Sequence, residues 1–202
     1  MRGRNTRQRI LDATQRLIEK DGFARLTTNE IAQEADCAEG TIFKHFKSKD
    51  NLCLAVVLEN APRFKEVIAQ KHAGRGTIQQ NLQEIALAAL RFSEKLIPLA
   101  ASLFADTKLL ERQRHALTES RGGPKQAFDL IAGYISEEQQ LGRINREVAP
   151  LTVSALLLGS CFHRAFLRQA MGRHLLPMND QEFADSLVST LINGLSSGAR
   201  RF

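Results

Sequence analysis

The chain has 202 residues, 43% of them hydrophobic, and carries a formal net charge of +6. That apolar share is ordinary for a protein that buries a core and argues against a disordered chain, while the longest apolar runs, such as Ala155-Leu156-Leu157-Leu158, are too short to span a bilayer. The basic balance permits a polyanionic partner without requiring one.

Periodicity reads as helix along nearly the whole chain, with no convincing strand and no repeat, and nine helices are expected. The first runs from about Arg4 to Asp21, with Ile10, Ala13, Thr14, Leu17 and Ile18 on one face, and Gly22 is placed to cap its end with Phe23 folding back. The second starts at Thr27 or Thr28, both good N-caps, and turns Ile31, Ala32 and Ala35 inward. After the tight turn Asp36-Cys37-Ala38, a third short helix covers Glu39 to His45 or Phe46. Ser48 caps a fourth, from Lys49 to about His72, which Pro62 should kink. The Gly74-Arg75-Gly76 break ends it, and Thr77-Ile78-Gln79-Gln80 matches a capping box for a fifth that reaches about Lys95. Pro98 then opens a sixth, ending near Glu119, before the loop Arg121-Gly122-Gly123-Pro124. The seventh covers Pro124 to Gln140, the eighth Pro150 to Met171 and the ninth Asp180 to Leu195.

The last two differ from the rest. Phe183, Leu187, Leu191 and Leu195 form an i, i+4 stripe flanked by Ala184, Val188 and Ile192, and the eighth helix is apolar on nearly all sides from Leu151 to Phe162. Such a helix is buried on several sides, in the centre of a monomer or at a subunit interface. Gly159 and Ser160 within it would let another helix approach closely.

Charge and cysteine placement add limits. Arg2, Arg4, Arg7 and Arg9 precede the first acid, Asp12, and Lys44, Lys47 and Lys49 form a second basic cluster; each cluster reads equally as a solvated face. Cys37, Cys53 and Cys161 are an odd, widely spaced set that fits free thiols in a reducing cytoplasm rather than a disulfide framework. The basic start of the chain has no apolar segment behind it, so it does not read as a signal peptide. No Cys or His pair has zinc-finger spacing and no phosphate loop, zincin motif or nucleophile elbow occurs, so neither metal, cofactor nor catalysis is expected. Cys161 with His163 is the nearest approach to a nucleophile and base, but residues two apart on a helix point in different directions.

From Thr27 to Lys49 two short helices meet across a three-residue turn, the helix-turn-helix arrangement. Ile31, Ala35, Cys37, Ile42 and Phe46 can close a small core with the first helix, leaving Gly40, Thr41, Lys44 and His45 on the outer face of the second short one. A short, polar, basic helix held on two others suits the major groove, about 12 Å wide.

Ile10-Leu11-Asp12-Ala13, Gly22-Phe23, Leu26-Thr27-Thr28-Asn29-Glu30-Ile31-Ala32, Gly40-Thr41-Ile42-Phe43-Lys44-His45-Phe46 and Lys47-Ser48-Lys49-Asp50-Asn51-Leu52 resemble the N-terminal domain of the TetR family of bacterial regulators, over about residues 8 to 55. The resemblance implies an all-α protein with a three-helix DNA-binding domain in residues 1–50 and a helical ligand-binding and dimerisation domain in 51–202. It further implies a cytoplasmic repressor that binds a palindromic double-stranded DNA operator as a homodimer paired through residues 150–195. A small, hydrophobic inducer would release it, and no membrane partner is implied. Thr27 and Thr28 would bond phosphate, helped by the helix dipole. Thr41, Phe43, Lys44 and His45 would face DNA, Gly40 would allow close backbone approach, Lys49 would hold another phosphate, and Arg2 and Arg4 would add an arm. Each also has a plain structural reading: Thr27 a helix cap, Phe43 a core aromatic, Lys44 and Lys47 solvated side chains, His45 a helix end.

Three departures from the family pattern stand out: Asp36 where Gly is usual, Ala38 where Ser would cap the recognition helix, and Phe43 where most members have a phosphate-bonding Tyr. For the inducer, the resemblance points to Phe64, Phe92, Leu96, Leu103, Phe104, Phe128 and Phe166 as lining, with His115, Tyr134, His163 and Arg164 as polar groups. His163 shares the stripe Thr152, Leu156, Gly159, His163, Phe166 and so reads equally as facing a partner subunit.

Overall fold

The computed structural model describes residues 2–21, 25–105, 111, 124–173 and 175–195. Among them the regular elements are eight helices: α1 Arg2–Asp21, α2 Thr28–Glu34, α3 Glu39–Phe46, α4 Lys49–Ala69, α5 Ile78–Ala105, α6 Pro124–Gln140, α7 Pro150–Met171 and α8 Asp180–Leu195. The all-helical class expected from periodicity is what folds. The expected Gly22 cap with Phe23, the loop before Pro124 and His115 lie outside the described residues.

One expectation built on proline needs correction. Pro98 does not open a new helix, because α5 continues through it to Ala105. Leu82, Ile85, Ala86, Ala89, Leu90, Ser93 and Ile97 are all buried at helical spacing, so the inward face of α5 is set as far as the residue before the proline. Pro62 sits inside α4, where it was expected, and α4 ends at Ala69 against an expected end near His72. Gly74 and Gly76, at φ +79° and +65°, then make the left-handed bends that separate α4 from α5.

The chain divides into two compact units, residues 1–62 with 95–107, and residues 63–94 with 108–202. In the first, Ile10, Leu11, Ala13, Leu26, Ile31, Ala32, Ala35, Ile42, Phe46, Leu52 and Val56 are buried. Cys37 is only half-buried. The second has its own core, in which Phe64 and Ile68 of α4 join Leu82, Ile85, Ala89 and Leu90 of α5, Ile131, Tyr134 and Ile135 of α6, Leu157 and Cys161 of α7, and Ala184 and Val188 of α8.

That second core includes a polar knot. Glu138 is fully buried; its Oε1 accepts from the Gly74 amide at 3.3 Å, and its Oε2 faces Arg143 Nη1 at 3.3 Å without a hydrogen bond's alignment. Asn81 Nδ2 donates to the Tyr134 hydroxyl and to the Arg75 carbonyl, each at 3.0 Å, and Arg143 Nη2 donates to the Gly76 carbonyl at 2.8 Å. Burial pushes the Tyr134 phenol up to about 12, so it stays a neutral donor beside Glu138. The knot ties the Gly74–Gly76 bend to the far end of α6.

By length and composition α7 is long and apolar enough to cross a membrane, which the short apolar runs in the sequence did not foretell. Its residues divide between two faces. Val153, Ser154, Leu157, Cys161, Arg164 and Ala165 are buried, whereas Thr152, Leu156, Gly159, His163 and Phe166 are exposed. On the buried side Arg164 Nε donates to Asp180 Oδ1 at 3.0 Å and Nη2 to the Met178 carbonyl at 2.7 Å, with its guanidinium 4.7 Å from the Phe183 ring centre. Arg164 therefore fastens the end of α7 to the start of α8.

Candidate nucleic-acid interface

α2 begins with a complete capping box. The Glu30 amide donates to Thr27 Oγ1 at 3.2 Å, while the Thr27 amide and hydroxyl donate to Glu30 Oε2 at 2.9 and 2.7 Å. The hydroxyl and amide of Thr27 hold the Glu30 carboxyl below its ordinary value. Thr27 is thus first of all a cap, and its single hydroxyl hydrogen is already engaged. Thr28, the first residue of α2, donates its hydroxyl to Glu39 Oε1 on α3.

The turn between α2 and α3 is held from α1. Asp36 sits at φ +48°, in the left-handed region that the sequence comparison with glycine anticipates. Arg9 Nε and Nη2 donate to the Ala35 carbonyl at 3.2 and 2.5 Å, and Nη2 also donates to the Asp36 carbonyl and lies 3.3 Å from its carboxylate. One guanidinium satisfies the last carbonyls of α2. Sequence reading saw Arg9 only as part of a basic cluster. The contact spans 26 residues, and the one available signal was a non-glycine at a left-handed turn, which needs support from elsewhere.

α3 starts at Glu39 with Ala38 as N-cap and no side-chain bond to it, the missing cap expected from the sequence. Ile42 and Phe46 are buried and anchor the helix. Thr41 and His45 are half-buried, Lys44 is exposed and Phe43 is 45% exposed. Positions 41, 44 and 45 fall on one helix face at i, i+3, i+4 spacing. Gly40 is exposed, and a Cβ placed there would meet nothing within 4 Å, so the backbone at the start of α3 is bare. Phe43 does not fill the core; it stands on the surface beside Lys44. Arg7 stacks its guanidinium 5.3 Å from the Phe46 ring centre, which adds a cation at the same helix.

α4 opens beside this face. Ser48 Oγ accepts from the Asn51 amide at 3.1 Å and caps the helix, with Lys47 at φ +63° making the turn before it. Lys49, half-buried in the first turn, is close enough for its charge to act on Glu30. Arg2 and Arg4 lie on the helical backbone of α1 rather than on an extended arm, and their side chains fall outside the described ones.

The described residues expected to line a ligand site fall on α4, α5, α6 and α7. Phe64 and Phe92 stack at 5.4 Å between ring centres, nearly parallel at 9°. Phe128 is half-buried on α6, and its carbonyl accepts from the Ser154 hydroxyl at 2.9 Å. Tyr134 belongs to the polar knot and Arg164 to the α7–α8 junction. His163 and Phe166 are exposed on α7. Leu96 is half-buried in the first unit, and the side chains of Leu103 and Phe104 lie outside the described ones. Cys161 is fully buried, and burial pushes its thiol up to about 12, so it cannot supply a thiolate to the exposed His163 at neutral pH.

Residues 27 to 49 thus form a helix-turn-helix with a polar, basic outer face. Residues 10–56 match the family of bacterial regulatory proteins called the tetR family. YvkB of Bacillus subtilis (strain 168), an HTH-type transcriptional regulator, is 26% identical over 198 residues, 96% of this chain and 99% of its own. A Mesorhizobium loti (MAFF303099) structure described as of the TetR family shares the fold over 96% of this chain and 98% of its own, at 19% identity and a TM-score of 0.69. FadR of Bacillus subtilis, a transcriptional regulator solved in complex with stearoyl-CoA, does so over 94% and 99%, at 18% identity and a TM-score of 0.65.

Proposed function

We propose that the chain is a ligand-released repressor that binds a palindromic operator as a homodimer, with Thr27, Thr28, Gly40, Thr41, Phe43, Lys44, His45 and Lys49 at the DNA. The observation that carries this reading is α3: a buried Ile42–Phe46 pair fixes a helix whose other face offers Thr41, Lys44 and His45 beside a bare Gly40 backbone. Lysine and the α4 N-terminus serve phosphate, while Thr41 and Lys44 reach base edges. The exposed Leu156, Gly159, His163 and Phe166 stripe of α7, with half-buried Phe183, Leu187 and Leu191 on α8, supports pairing with a second copy through residues 150–195. Burial of α7 in that pair, not in lipid, is consistent with a cytoplasmic protein.

For the inducer, the stacked Phe64 and Phe92 support an apolar molecule, and the stearoyl-CoA bound to FadR supports a ligand with an acyl chain. His163 and Phe166 leave the ligand set under this reading and join the pairing face.

Selection of bound sequences from random duplexes with the purified protein tests the proposal. A two-fold symmetric site is expected, with half-sites about 34–36 Å apart or at a wider helical spacing. Enrichment of an unsymmetric sequence, or none, sinks it. On the selected site, Lys49→Ala should weaken binding to all sequences and flatten the salt slope by about one; a change confined to base preference would deny Lys49 its phosphate.

A further inference from the structure

Both threonines at the start of α2 spend their hydroxyl hydrogens on carboxylates of their own chain, but the two arrangements differ in kind. The Thr27–Glu30 pair is a local cap, three residues apart, that supports α2. The Thr28–Glu39 bond joins α2 to α3 across 11 residues and caps nothing. Glu39 is exposed, and its carboxylate stands in the first turn of α3, where Ala38 provides no side-chain cap. A helix start favours an anion, so Glu39 is stabilised where a DNA phosphate would otherwise dock. A threonine hydroxyl has one hydrogen, and Thr28 cannot give it to Glu39 and to a phosphate at once.

We propose that Glu39 is a specificity-determining residue that holds Thr28 off DNA phosphates and yields only where the groove repays its carboxylate. The base edge that can do so is cytosine, whose N4 amine is a major-groove donor to Glu or Asp. On other sequences the carboxylate both withholds a phosphate donor and repels the backbone. Glu39 thus lowers affinity for DNA in general more than for a site carrying cytosine at its position. The proposal rests on α3 being the DNA reader.

The test is a thermodynamic cycle with the full-length protein: wild type, Glu39→Ala, Thr28→Val and the double variant, each titrated by fluorescence anisotropy against its selected operator and a scrambled duplex of equal length. Thermal unfolding checks that each variant is folded, and Glu39→Gln serves as a second, milder variant. Glu39→Ala should tighten binding to the scrambled duplex about two- to fivefold, the reach of one exposed charge, and should tighten operator binding less or weaken it. On the scrambled duplex Thr28→Val should change little in the wild-type background, where Glu39 holds the hydroxyl, and should remove most of the gain in the Glu39→Ala background; on the operator, where Glu39 yields, it should weaken wild-type binding. Unchanged scrambled-duplex affinity, or an equal Thr28→Val effect in both backgrounds, overturns the proposal while leaving the reader intact. If the wild type binds no duplex at low salt, the reading of α3 falls and takes this one with it.

Discussion

In the first unit the only buried polar side chain among the described residues is Thr14, whose hydroxyl donates to the Ile10 carbonyl at 2.6 Å. In the second, Glu138, Arg164, Ser154 and Gln139 are all buried, while Leu151, Leu156, Phe162 and Phe166 stand exposed on α7. The first unit is built as a small apolar core with its polar groups outside, and among its described side chains the one large exposed apolar group, Phe43, lies on the face proposed to meet DNA. The second unit buries charge to fix its loops and exposes apolar surface along one helix. Isolated exposed apolar residues are ordinary, but a contiguous helical stripe marks a surface that another molecule covers. On the proposed reading each unit's exposed face suits a different partner: a polyanion for α3, and an apolar surface for α7.

The largest expected effect tests the buried charge. Arg143→Ala leaves Glu138, at 0% exposure, without its counterion, whereas Arg143 itself is 31% exposed. Removing one partner of a buried pair costs roughly 3–5 kcal/mol, and partial exposure of Arg143 places this case at about 3 kcal/mol. Thermal unfolding should show that loss, and adding Glu138→Gln to Arg143→Ala should recover part of it. A variant as stable as the wild type would mean that the two units do not differ in this respect.

A smaller effect is expected at the corresponding ion pair of the reader, because Arg9 and Asp36 are solvent-facing, at 43% and 100% side-chain exposure. There the charge pair contributes little, and the bonds from Arg9 to the Ala35 and Asp36 carbonyls carry the contact. Arg9→Ala should lower stability by about 1–2 kcal/mol, read by urea unfolding. Asp36→Gly removes the cost of a left-handed non-glycine, about 1 kcal/mol, and should benefit Arg9→Ala more than wild type. Equal benefit in both backgrounds would show that Arg9 does not hold the turn.

This contrast also explains what the sequence disclosed. Capping, periodicity and turn chemistry are local, so α2, α3, the Ser48 cap and the left-handed Asp36 were legible from Thr27 to Lys49. The bounds of α6, α7 and α8 were equally clear, since Gly, Pro and Asp mark their ends. What sequence could not show depends on distant neighbours. Arg9 reaching 26 residues to Ala35, Thr28 meeting Glu39, and Tyr134 joining a polar knot all need the fold first. Pro98 misled as well: the helix is continuous through that position to Ala105, which a local breaker rule does not allow for. The aromatic residues expected as ligand lining could not be sorted from core by spacing alone, because both uses place Phe on the same helical period.

The finest test compares one substitution in both units. Gly40 on α3 and Gly159 on α7 are exposed, and an added Cβ would meet nothing within 4 Å at either position. Judged by the folded chain alone, alanine should be harmless or favourable at both, by up to about 1 kcal/mol of helix propensity. Function predicts the opposite sign. Gly40→Ala should keep or raise the unfolding temperature yet weaken operator binding, since a methyl group stands between the α3 backbone and the duplex. Gly159→Ala should do the same for self-association, measured by sedimentation equilibrium, because only a glycine lets two helices approach backbone to backbone. Each variant should spare the other's function when assayed at protein concentrations that keep the dimer formed. A Gly40→Ala protein that binds its operator unchanged would place α3 farther from the groove than proposed. An unchanged dimer in Gly159→Ala would move the pairing surface off the Leu156–Phe166 stripe. Since stability can only hold or rise in both variants, any loss of function cannot be ascribed to unfolding, and the two exposed faces are tested independently of the cores beneath them.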